Sequence, residues 1–497
     1  MIRVFLLVVV ILTVASLMSF GARMKEQPRV TKLESRDKME DIVIKAAGVK
    51  PAPRQLAWQE LEFAAFIHFG VNTFTDREWG EGTEDPKIFN PSNLDANQWV
   101  KACKDAGIGE IIFTAKHHDG FCLWPSKFTE HSVKNSPWKN GKGDVVKEIS
   151  DACRKGGIKF GVYLSPWDRH DPSYGDSPKY NEHFKNQLRE LLTNYGPICE
   201  VWFDGACGEG PNGKRQEYDF QGFYDVVREL QPNAAISISG PDVRWCGNEA
   251  GVCRESEWSV VPESNKADDP DIGSREKLAE AAKNNVGLIW HPAQVDTSIR
   301  PGWFYHSAED NQVKSLDHLL DIYFSSVGGN AQLLLNIPPD RTGRFHEQDV
   351  QRLHEIGEYL RSTFTNDLAK GARATASVST RGHDASKTVD GKKGSYWASA
   401  DGVTVAVIEY DLGVPRTFNT AMLQEYIANG QHIEEFFIDA WDNGKWQQIS
   451  RGTTVGHKRI LRFDDVTTSK VRLRINKTRV NAAISSFGLF RRPLKQQ

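Results

Sequence analysis

A single aspartate ends an apolar run in the segment ICEVWFDGACGEG, which extends from Ile198 to Gly210. The β-branched and aromatic residues before Asp204 are typical of a buried strand, and small residues follow it. A carboxylate at such a position is open to a ligand yet surrounded by apolar groups, as a nucleophile or general base requires. An aspartate can equally cap the next helix or pair with an arginine. Asp204 alone therefore indicates only a candidate site.

Paired histidines follow a second apolar run, in the segment FTAKHHDGFCLW. Neighbouring residues on a strand point to opposite faces, so His117 and His118 can reach one ligand only where the strand ends. Metal binding is the alternative, but the chain has no HExxH motif, and Asp119 can orient a histidine instead. Neutral imidazoles donate and accept hydrogen bonds, which suits a polyhydroxylated ligand. We therefore expect a sugar site and no metal.

Glycoside chemistry needs a second carboxyl group, which is protonated at the leaving oxygen. The segment WCGNEAGVCRESEWS offers Glu249, Glu255 and Glu257. Glycine, asparagine and alanine surround Glu249, as in a loop that reaches over a site. The later glutamates lie in a polar strand or rim segment, where Arg254 can pair with them. Each could be an ordinary solvated charge, but Glu249 is the favoured candidate.

The elements that must position these residues alternate between apolar runs and amphipathic helices over residues 58–365. Continuous apolar runs with loop signals at their ends are typical of strands in a parallel sheet. The run GDVVKEISDACRKGG is one of the helices, because its apolar residues share one face and a glycine pair ends it. The predicted strands lie in FAAFIHFG, GEIIFTAKHHDG, IKFGVYLSPW, ICEVWFDGA, AAISISGPD and AQLLLNIPP.

Repeated strand–helix units of this total length predict an α/β fold, a (β/α)8-like barrel. No Gly-x-Gly-x-x-Gly motif opens the first helix, so a dinucleotide-binding open sheet has no support. Polar residues stand at the carboxyl ends of four strands, where a barrel carries its active site. These residues are His68, His117 with His118, Tyr163 and Asp204.

Residues 366–497 differ in pattern, with short alternating strands separated by Asp-Gly and Asn-Gly turns. They predict a C-terminal antiparallel β-sandwich. At the other end, residues 1–22 read as a secretory signal peptide, and residues 23–57 form an N-terminal extension. An uncleaved membrane anchor is the alternative for the apolar segment. We expect cleavage, no stable membrane span afterwards, and an exported protein that is periplasmic or extracellular.

Charge and cysteine spacing argue against nucleic-acid binding and against a CxxC zinc site. A formal net charge of −3 without a cluster of basic residues disfavours nucleic-acid binding. None of the seven cysteines forms a CxxC zinc pattern. Cys103, Cys153 and Cys199 lie in apolar periodic segments, where we expect free buried thiols.

The segments FIHFGVNTFTDREWG, FTAKHHDGFCLWPS, GVYLSPWD and EVWFDGA together resemble the α-L-fucosidases of glycoside hydrolase family 29. The resemblance covers the whole barrel, and it implies that Asp204 is the nucleophile. It also implies a set of residues that contact fucose, in which Trp303 packs against the apolar face of the sugar. The set comprises His68, Glu78, Trp79, His117, His118, Tyr163 and Trp303.

The Gly-Asn-Glu-Ala-Gly segment resembles the branch of that family that acts on α-1,3/1,4-fucosyl linkages of Lewis-type glycans. This resemblance implies a retaining exo-enzyme without metal or cofactor, in which Glu249 is the acid/base and Glu255 the fallback. Fucosylated oligosaccharides or glycoconjugates would be its substrates. A broad-specificity fucosidase and a non-catalytic carbohydrate-binding protein are the alternatives.

The C-terminal domain resembles galactose-binding-like modules. Its Trp397, Trp441 and Trp446 could bind sugar or could belong to the core.

Overall fold

The structure is a computed structural model that describes residues 30–493. The predicted signal peptide, residues 1–22, and the start of the predicted N-terminal extension lie outside the described residues. From residue 30 to residue 493, no helix combines the length and the apolar character needed to cross a membrane.

Eight parallel strands form the predicted barrel. The strands of this part of the chain are β1 (Phe63–Ile67), β2 (Glu110–Lys116), β3 (Lys159–Leu164), β4 (Glu200–Phe203), β5 (Ala235–Ile238), β6 (Arg244–Trp245), β7 (Val260–Pro262), β8 (Leu288–Trp290), β9 (Ala293–Ser298) and β10 (Ala331–Asn336). The hydrogen-bonded order in the barrel is β5-β4-β3-β2-β1-β10-β9-β6, and a bridge between Ser237 and Val243 nearly closes the ring. Strands β7 and β8 form a separate antiparallel pair.

Helices surround the barrel, and the fifth of them ends at the predicted glycine stop. The Asp144 carboxylate accepts a hydrogen bond from the Lys147 amide at its start, and Gly157 ends it with a φ of 71°. Val145, Ile149 and their neighbours on one face are buried against the strands. The helices are α1 (Met39–Ala47), α2 (Pro53–Gln59), α3 (Val71–Thr75), α4 (Ala96–Ala106), α5 (Val145–Gly156), α6 (Ser177–Asn194), α7 (Phe220–Leu230), α8 (Arg275–Lys283), α9 (Leu316–Ser326) and α10 (Glu347–Phe364).

One strand-to-strand connection departs from the ideal repeat. A turn, residues 239–243, joins β5 to β6 where a regular barrel would have a helix. Ile238 enters this turn with a φ of 69°, which is a strained conformation for a β-branched residue. The buried Asp242 carboxylate holds the turn through ion pairs with Arg54 and Arg228. The strain therefore lies one strand away from the strand that precedes Asp204.

The barrel interior contains an apolar cluster below the carboxyl ends of the strands. Side chains alternate along β2, so Ile112 faces the interior cluster while Ile111 and Phe113 pack against the helices. This alternation gives the ends of the strands a rigid apolar base. The interior cluster comprises Ala64, Phe66, Ile112, Tyr163, Trp202 and Leu334, with Ile238 and Trp303 packed against it.

The C-terminal part is the predicted antiparallel sandwich. Its strands are β11 (Arg373–Ala376), β12 (Trp397–Ala398), β13 (Ala406–Glu425), β14 (Ile433–Asp442), β15 (Lys445–Gly452), β16 (Arg459–Thr478) and β17 (Ala483–Phe490). Its two layers are β11-β13-β16-β14-β15 and β12-β17-β13-β16. The long strands β13 and β16 belong to both layers, because they pass from one to the other at register shifts.

The sandwich attaches to the barrel at the amino ends of the strands. Glu62, directly before β1, forms ion pairs with His457 and Lys458. The Gly328 carbonyl, before β10, accepts a hydrogen bond from the Ile460 amide at 3.0 Å. These contacts lie at the opposite end of the barrel from Asp204, so the sandwich supports the barrel from the far side.

Candidate active site

Asp204 directly follows β4, at the carboxyl end of the barrel. Its Oδ1 accepts a hydrogen bond from the Ala206 amide at 2.7 Å, and its Oδ2 accepts one from the Tyr163 hydroxyl at 3.0 Å. The side chain remains 24% exposed, so a ligand can reach it. Among residues 30–493, no lysine or arginine nitrogen lies within 4.0 Å of this carboxylate, and the next helix is capped by Asp219. The pairing and capping alternatives therefore do not describe Asp204.

Tyr163 supports the charge on Asp204 from the interior of the barrel. Burial, reinforced by the charge of Asp204, raises the pKa of the Tyr163 hydroxyl well above its ordinary value. The hydroxyl therefore stays protonated and acts as a donor to the carboxylate. Two donors hold Asp204 in place without neutralising it.

His68 and His118 present the same ring nitrogen as an acceptor. Asn336 Oδ1 accepts hydrogen bonds from the His68 amide at 3.2 Å and from His68 Nδ1 at 2.8 Å. Ser165 Oγ donates to the Trp167 carbonyl at 2.7 Å, so His118 Nδ1, also 2.7 Å away, must donate to Ser165. Each Nε2 is then unprotonated and can accept a hydrogen bond from a hydroxyl group. Ser165 therefore orients His118, whereas the Asp119 carboxylate accepts from the Phe121 amide.

All three histidines of the site are neutral. Burial lowers the pKa of His68 to about 3 and that of His117 well below the ordinary range. Burial also lowers the pKa of His118, although the charge of Asp204 opposes this effect. The rings of His117 and His118 have centroids 4.1 Å apart, and that of His68 lies 5.6 Å from His117. The structure thus brings the three predicted imidazoles into one wall.

Glu78 is placed differently from a simple sugar ligand. Its Oε2 accepts from the Trp303 amide at 2.8 Å, and its Oε1 accepts from the Phe304 amide at 3.0 Å. His306 Nε2 also contacts Oε1 at 2.8 Å. Glu78 therefore fixes the loop that carries Trp303. Trp79 is 57% exposed at the rim, with its ring 5.8 Å from that of His118.

Glu249 contacts the site through a hydrogen bond with Trp303. Trp303 Nε1 donates to Glu249 Oε2 at 3.2 Å, and the Trp303 ring lies 5.2 Å from the His68 ring. Glu249 itself is exposed. The Glu255 carbonyl instead accepts from Thr453 and Arg459 of the sandwich, at the other end of the barrel. The structure thus brings Glu249, and not Glu255, to the carboxyl ends of the strands.

Asp296 is a further carboxyl group that the sequence reasoning missed. It lies in β9 with 5% exposure, and its Oδ1 accepts from Trp245 Nε1 at 2.7 Å. Burial, opposed by the hydrogen bond from Trp245 and reinforced by the charges of Glu249 and Asp204, raises its pKa to about 7. A strand with polar residues facing the barrel interior gives no apolar run, so the sequence carried little signal for it.

One group of side chains could hold a metal by distance alone. Cys246, Cys253 and Glu257 place ligand atoms within 4.8 Å of one another. The Glu257 carboxylate, however, already forms ion pairs with Arg244 and Arg254. Two guanidinium groups around the same carboxylate oppose the binding of a cation.

Comparison with known proteins identifies families for both parts of the chain. The family model described as Alpha-L-fucosidase matches residues 35–363, and the F5/8 type C domain model matches residues 373–488. Alpha-L-fucosidase 1 of Arabidopsis thaliana is 44% identical over 449 residues, which cover 88% of this chain and 87% of that protein.

Solved structures agree with these matches over the whole fold. The Ruminococcus gnavus GH29 fucosidase in complex with fucose superposes with a TM-score of 0.80 at 33% identity, covering 93% of this chain and 99% of that one. A glycoside hydrolase 29 family member from an unknown rumen bacterium superposes with a TM-score of 0.77 at 43% identity, covering 90% of this chain and 78% of that one.

Proposed function

Because the chain belongs to the α-L-fucosidase family of glycoside hydrolases, we propose that it is a retaining exo-α-L-fucosidase in which Asp204 is the nucleophile and Glu249 the acid/base. We propose α-1,3/1,4-fucosylated, Lewis-type glycans as its substrates. The observation that carries the proposal is the reachable Asp204 carboxylate, held by two donors beside three neutral imidazoles. Metal and cofactor have no part in the proposed reaction.

The first displacement forms a covalent bond between Asp204 and the anomeric carbon. Glu249 gives its proton to the departing glycosidic oxygen, so the aglycone leaves as an alcohol. In the second displacement Glu249 removes a proton from water, which attacks the same carbon and frees Asp204. This sequence requires the two carboxyl groups to approach to about 5–5.5 Å when the sugar is bound.

The remaining residues have roles that follow from their contacts. The Nε2 atoms of His68 and His118 accept hydrogen bonds from fucose hydroxyls, and the ring of Trp303 covers an apolar face of the sugar. Trp79 closes the pocket from the exposed rim. Glu78 acts through Trp303, because it holds the backbone of that residue. His117 adds to the neutral wall beside Tyr163, with its ring stacked 5.8 Å away.

Linkage specificity rests on the loop that carries Glu249, whose Gly-Asn-Glu-Ala-Gly segment resembles the narrow branch of the family. The exposed position of Glu249 beside Trp303, with Glu255 at the far end of the barrel, supports its role as the acid/base. A broad-specificity enzyme of the same family is the alternative. We also propose export to the periplasm or the extracellular space, on the basis of the apolar segment that precedes Gly21.

The tryptophans of the sandwich differ in whether they could contact a sugar. Trp397 is fully buried and donates to the Val378 carbonyl at 3.0 Å, so it is a core residue. Trp441 is 37% exposed, and its ring lies 5.1 Å from that of Trp446. We propose that the sandwich braces the barrel, and a glycan-binding assay on the full chain with Trp441→Ala would reveal an added binding role.

A proton-NMR time course tests the function directly. The purified protein is incubated with a Lewis-type trisaccharide, with an α-1,2-fucosyl disaccharide and with an unfucosylated control. We expect α-fucose to appear first, and from the Lewis-type sugar alone. Equal cleavage of both fucosides would replace the narrow specificity with the broad one, and first appearance of β-fucose would refute retention. No release from either sugar would refute the catalytic proposal.

A further inference from the structure

Two cysteines flank Glu249 in the segment WCGNEAGVCR. We call residues 246–253 the Glu249 loop. Both of its cysteines are free thiols in the structure, and their sulfur atoms lie within 4.8 Å of one another. The proposed acid/base thus lies on a loop whose two ends meet at a pair of thiols.

The backbone of the Glu249 loop is folded so that the two thiols stay together. Asn248 Oδ1 accepts hydrogen bonds from the Ala250 and Val252 amides, each at 3.1 Å. Asn248 Nδ2 donates to the Val252 carbonyl at 2.8 Å. Gly247 and Gly251 have φ values of 96° and 79°, which other residues adopt only with strain. This tight turn returns the chain to Cys246, whose sulfur contacts the Val252 carbonyl.

Charges around the pair favour sulfur chemistry over cation binding. Arg254 Nη1 lies 3.6 Å from Cys246 Sγ, so this sulfur faces a positive charge. Cationic groups next to a cysteine promote thiol–disulfide exchange in general. Glu257 touches both sulfurs, but Arg244 and Arg254 balance its charge. A divalent metal would have to displace or tolerate both guanidinium groups.

We propose that Cys246 and Cys253 form a disulfide in the exported enzyme, which closes the Glu249 loop and holds Glu249 at Trp303. The effect on Glu249 rests on the function proposed above, and formation of the bond rests on the proposed export but not on the catalytic roles. An exported protein meets an oxidising environment, in which such bonds form and persist. To bond, the two sulfurs must close from their present separation, within 4.8 Å, to about 2.05 Å.

The oxidant in this step is a low-molecular-weight disulfide. The Cys246 thiolate attacks one of its sulfurs and expels one thiolate, which leaves a mixed disulfide on Cys246. The neighbouring Cys246 and burial raise the pKa of Cys253, so Cys253 reacts second, once Cys246 has been converted. Cys253 loses its proton, attacks Cys246 and expels the second thiolate. The protein loses two hydrogen atoms, and the small disulfide becomes two thiols.

Peptide mapping tests the bond without reference to activity. Trypsin cleaves after Arg244 and Arg254, so one peptide, residues 245–254, contains both cysteines. The full-length protein from the medium or periplasm, and protein treated with oxidised glutathione, are alkylated before digestion. We expect a peptide two hydrogen atoms lighter than the dithiol and without alkyl groups. The half-buried Cys207 serves as the matched thiol, because Cys207→Ser should leave this peptide unchanged.

Alkylation of both Cys246 and Cys253 in both samples would overturn the proposal. A glutathione adduct that never resolves to the internal bond would overturn it equally. Because the map is made on the wild-type chain, the result does not depend on whether a cysteine variant folds.

Kinetics test the effect on Glu249. Reduction with dithiothreitol should lower kcat/KM for a fucosylated oligosaccharide about three- to tenfold, because a loosened loop misplaces the acid. It should leave kcat/KM for an aryl fucoside with a good leaving group unchanged, because that leaving group needs no proton. The double variant C246S/C253S should resemble the reduced enzyme with or without dithiothreitol.

Equal kcat/KM values for the oxidised and reduced enzyme would overturn the link between the bond and Glu249. Failure of the proposed function would look different. Neither form would then release fucose, while the peptide map would still report the bond.

Discussion

Replacing Glu249 with glutamine separates proton transfer from the geometry of the site. Glu249 is exposed, and its Oε2 accepts from Trp303 Nε1 at 3.2 Å. Glutamine keeps an oxygen that can accept this hydrogen bond but cannot give a proton to the leaving oxygen. Loss of general acid catalysis costs about 10²- to 10⁴-fold, or about 2.7–5.5 kcal/mol of barrier. We therefore expect E249Q to lower kcat/KM for a Lewis-type oligosaccharide by at least about 100-fold.

The Trp303 contact sets the scale of the geometric contribution. Trp303→Phe removes the donor, and a hydrogen bond this close to solvent contributes about 1 kcal/mol, or about fivefold in rate. The loss of kcat/KM on the oligosaccharide should thus be more than an order of magnitude larger for E249Q than for W303F.

On an aryl fucoside with a good leaving group, kcat/KM for E249Q should fall less than about tenfold, because the first step then needs little help from an acid. Added azide should raise its kcat by attacking the fucosyl-enzyme without a base.

Asp296 is the carboxyl group that could refute this assignment. It is buried near Asp204 and Glu249, and its pKa of about 7 would suit an acid/base. If D296N showed the large oligosaccharide loss, the small aryl-fucoside loss and azide rescue while E249Q did not, Asp296 would be the acid/base. We expect D296N to lower both substrates' kcat/KM by a similar factor, because Asp296 acts on the charge and packing of the site.

Three further predictions test the nucleophile, the pH dependence and the stability. Asp204→Asn should reduce hydrolysis of an aryl fucoside by about 10⁴-fold or more with an unchanged melting curve, and activity above one hundredth of wild type would exclude Asp204 as the nucleophile. Burial lowers the pKa of His131 to about 3, so between pH 6.5 and 3 the unfolded chain binds protons that the folded chain does not, and stability falls as the pH falls. In urea titrations, H131F should flatten this slope by up to about 1.4 kcal/mol per pH unit, whereas an unchanged slope would mean that His131 titrates normally. Glu257→Gln should lower the free energy of unfolding by about 3–5 kcal/mol, because it leaves the buried Arg244 without its full counter-charge. As a control, the same change at the exposed Glu255 should alter the free energy of unfolding by less than about 0.5 kcal/mol. Equal losses for the two variants would contradict this reasoning.

The barrel could be predicted from the sequence where its strands are apolar on both faces. Strands β1 to β5 and β10 appear as continuous apolar runs, and their ends placed His68, His117, Tyr163 and Asp204 at one rim. The physical reason is that a parallel strand covered by helices on one side and by the barrel interior on the other has no solvated face.

Strands β6 and β9 escaped prediction because the barrel interior is partly polar. Gln294 in β9 donates to Glu200 at 3.0 Å and to Gln332 at 2.7 Å, and it accepts from Trp202 at 2.8 Å. Such a residue looks like a surface position in the sequence, since its partners lie on other strands. Asp296, two residues later on the same strand, was missed for the same reason.

The hydrogen bonds of the site residues also could not be predicted from the sequence. Glu78 was placed near the sugar by resemblance, but its carboxylate binds the backbone of a loop more than 220 positions away in the chain. The tautomers of His68 and His118 likewise depend on Asn336 and Ser165. Types and spacing of residues can propose a site, but only the fold shows which atoms of that site are already engaged.

The neutrality of the three histidines explains how Asp204 could act as the proposed nucleophile. The transition state of glycoside cleavage develops positive charge on the sugar ring, as an oxocarbenium ion does. A protonated imidazole beside the ring would repel that charge and would form an ion pair with Asp204 in the resting enzyme. Burial keeps His68, His117 and His118 uncharged, so the hydrogen bonds that Asp204 accepts within residues 30–493 come from neutral donors, the Tyr163 hydroxyl and the Ala206 amide. The carboxylate therefore keeps most of its charge for the transition state, where stabilisation accelerates the reaction.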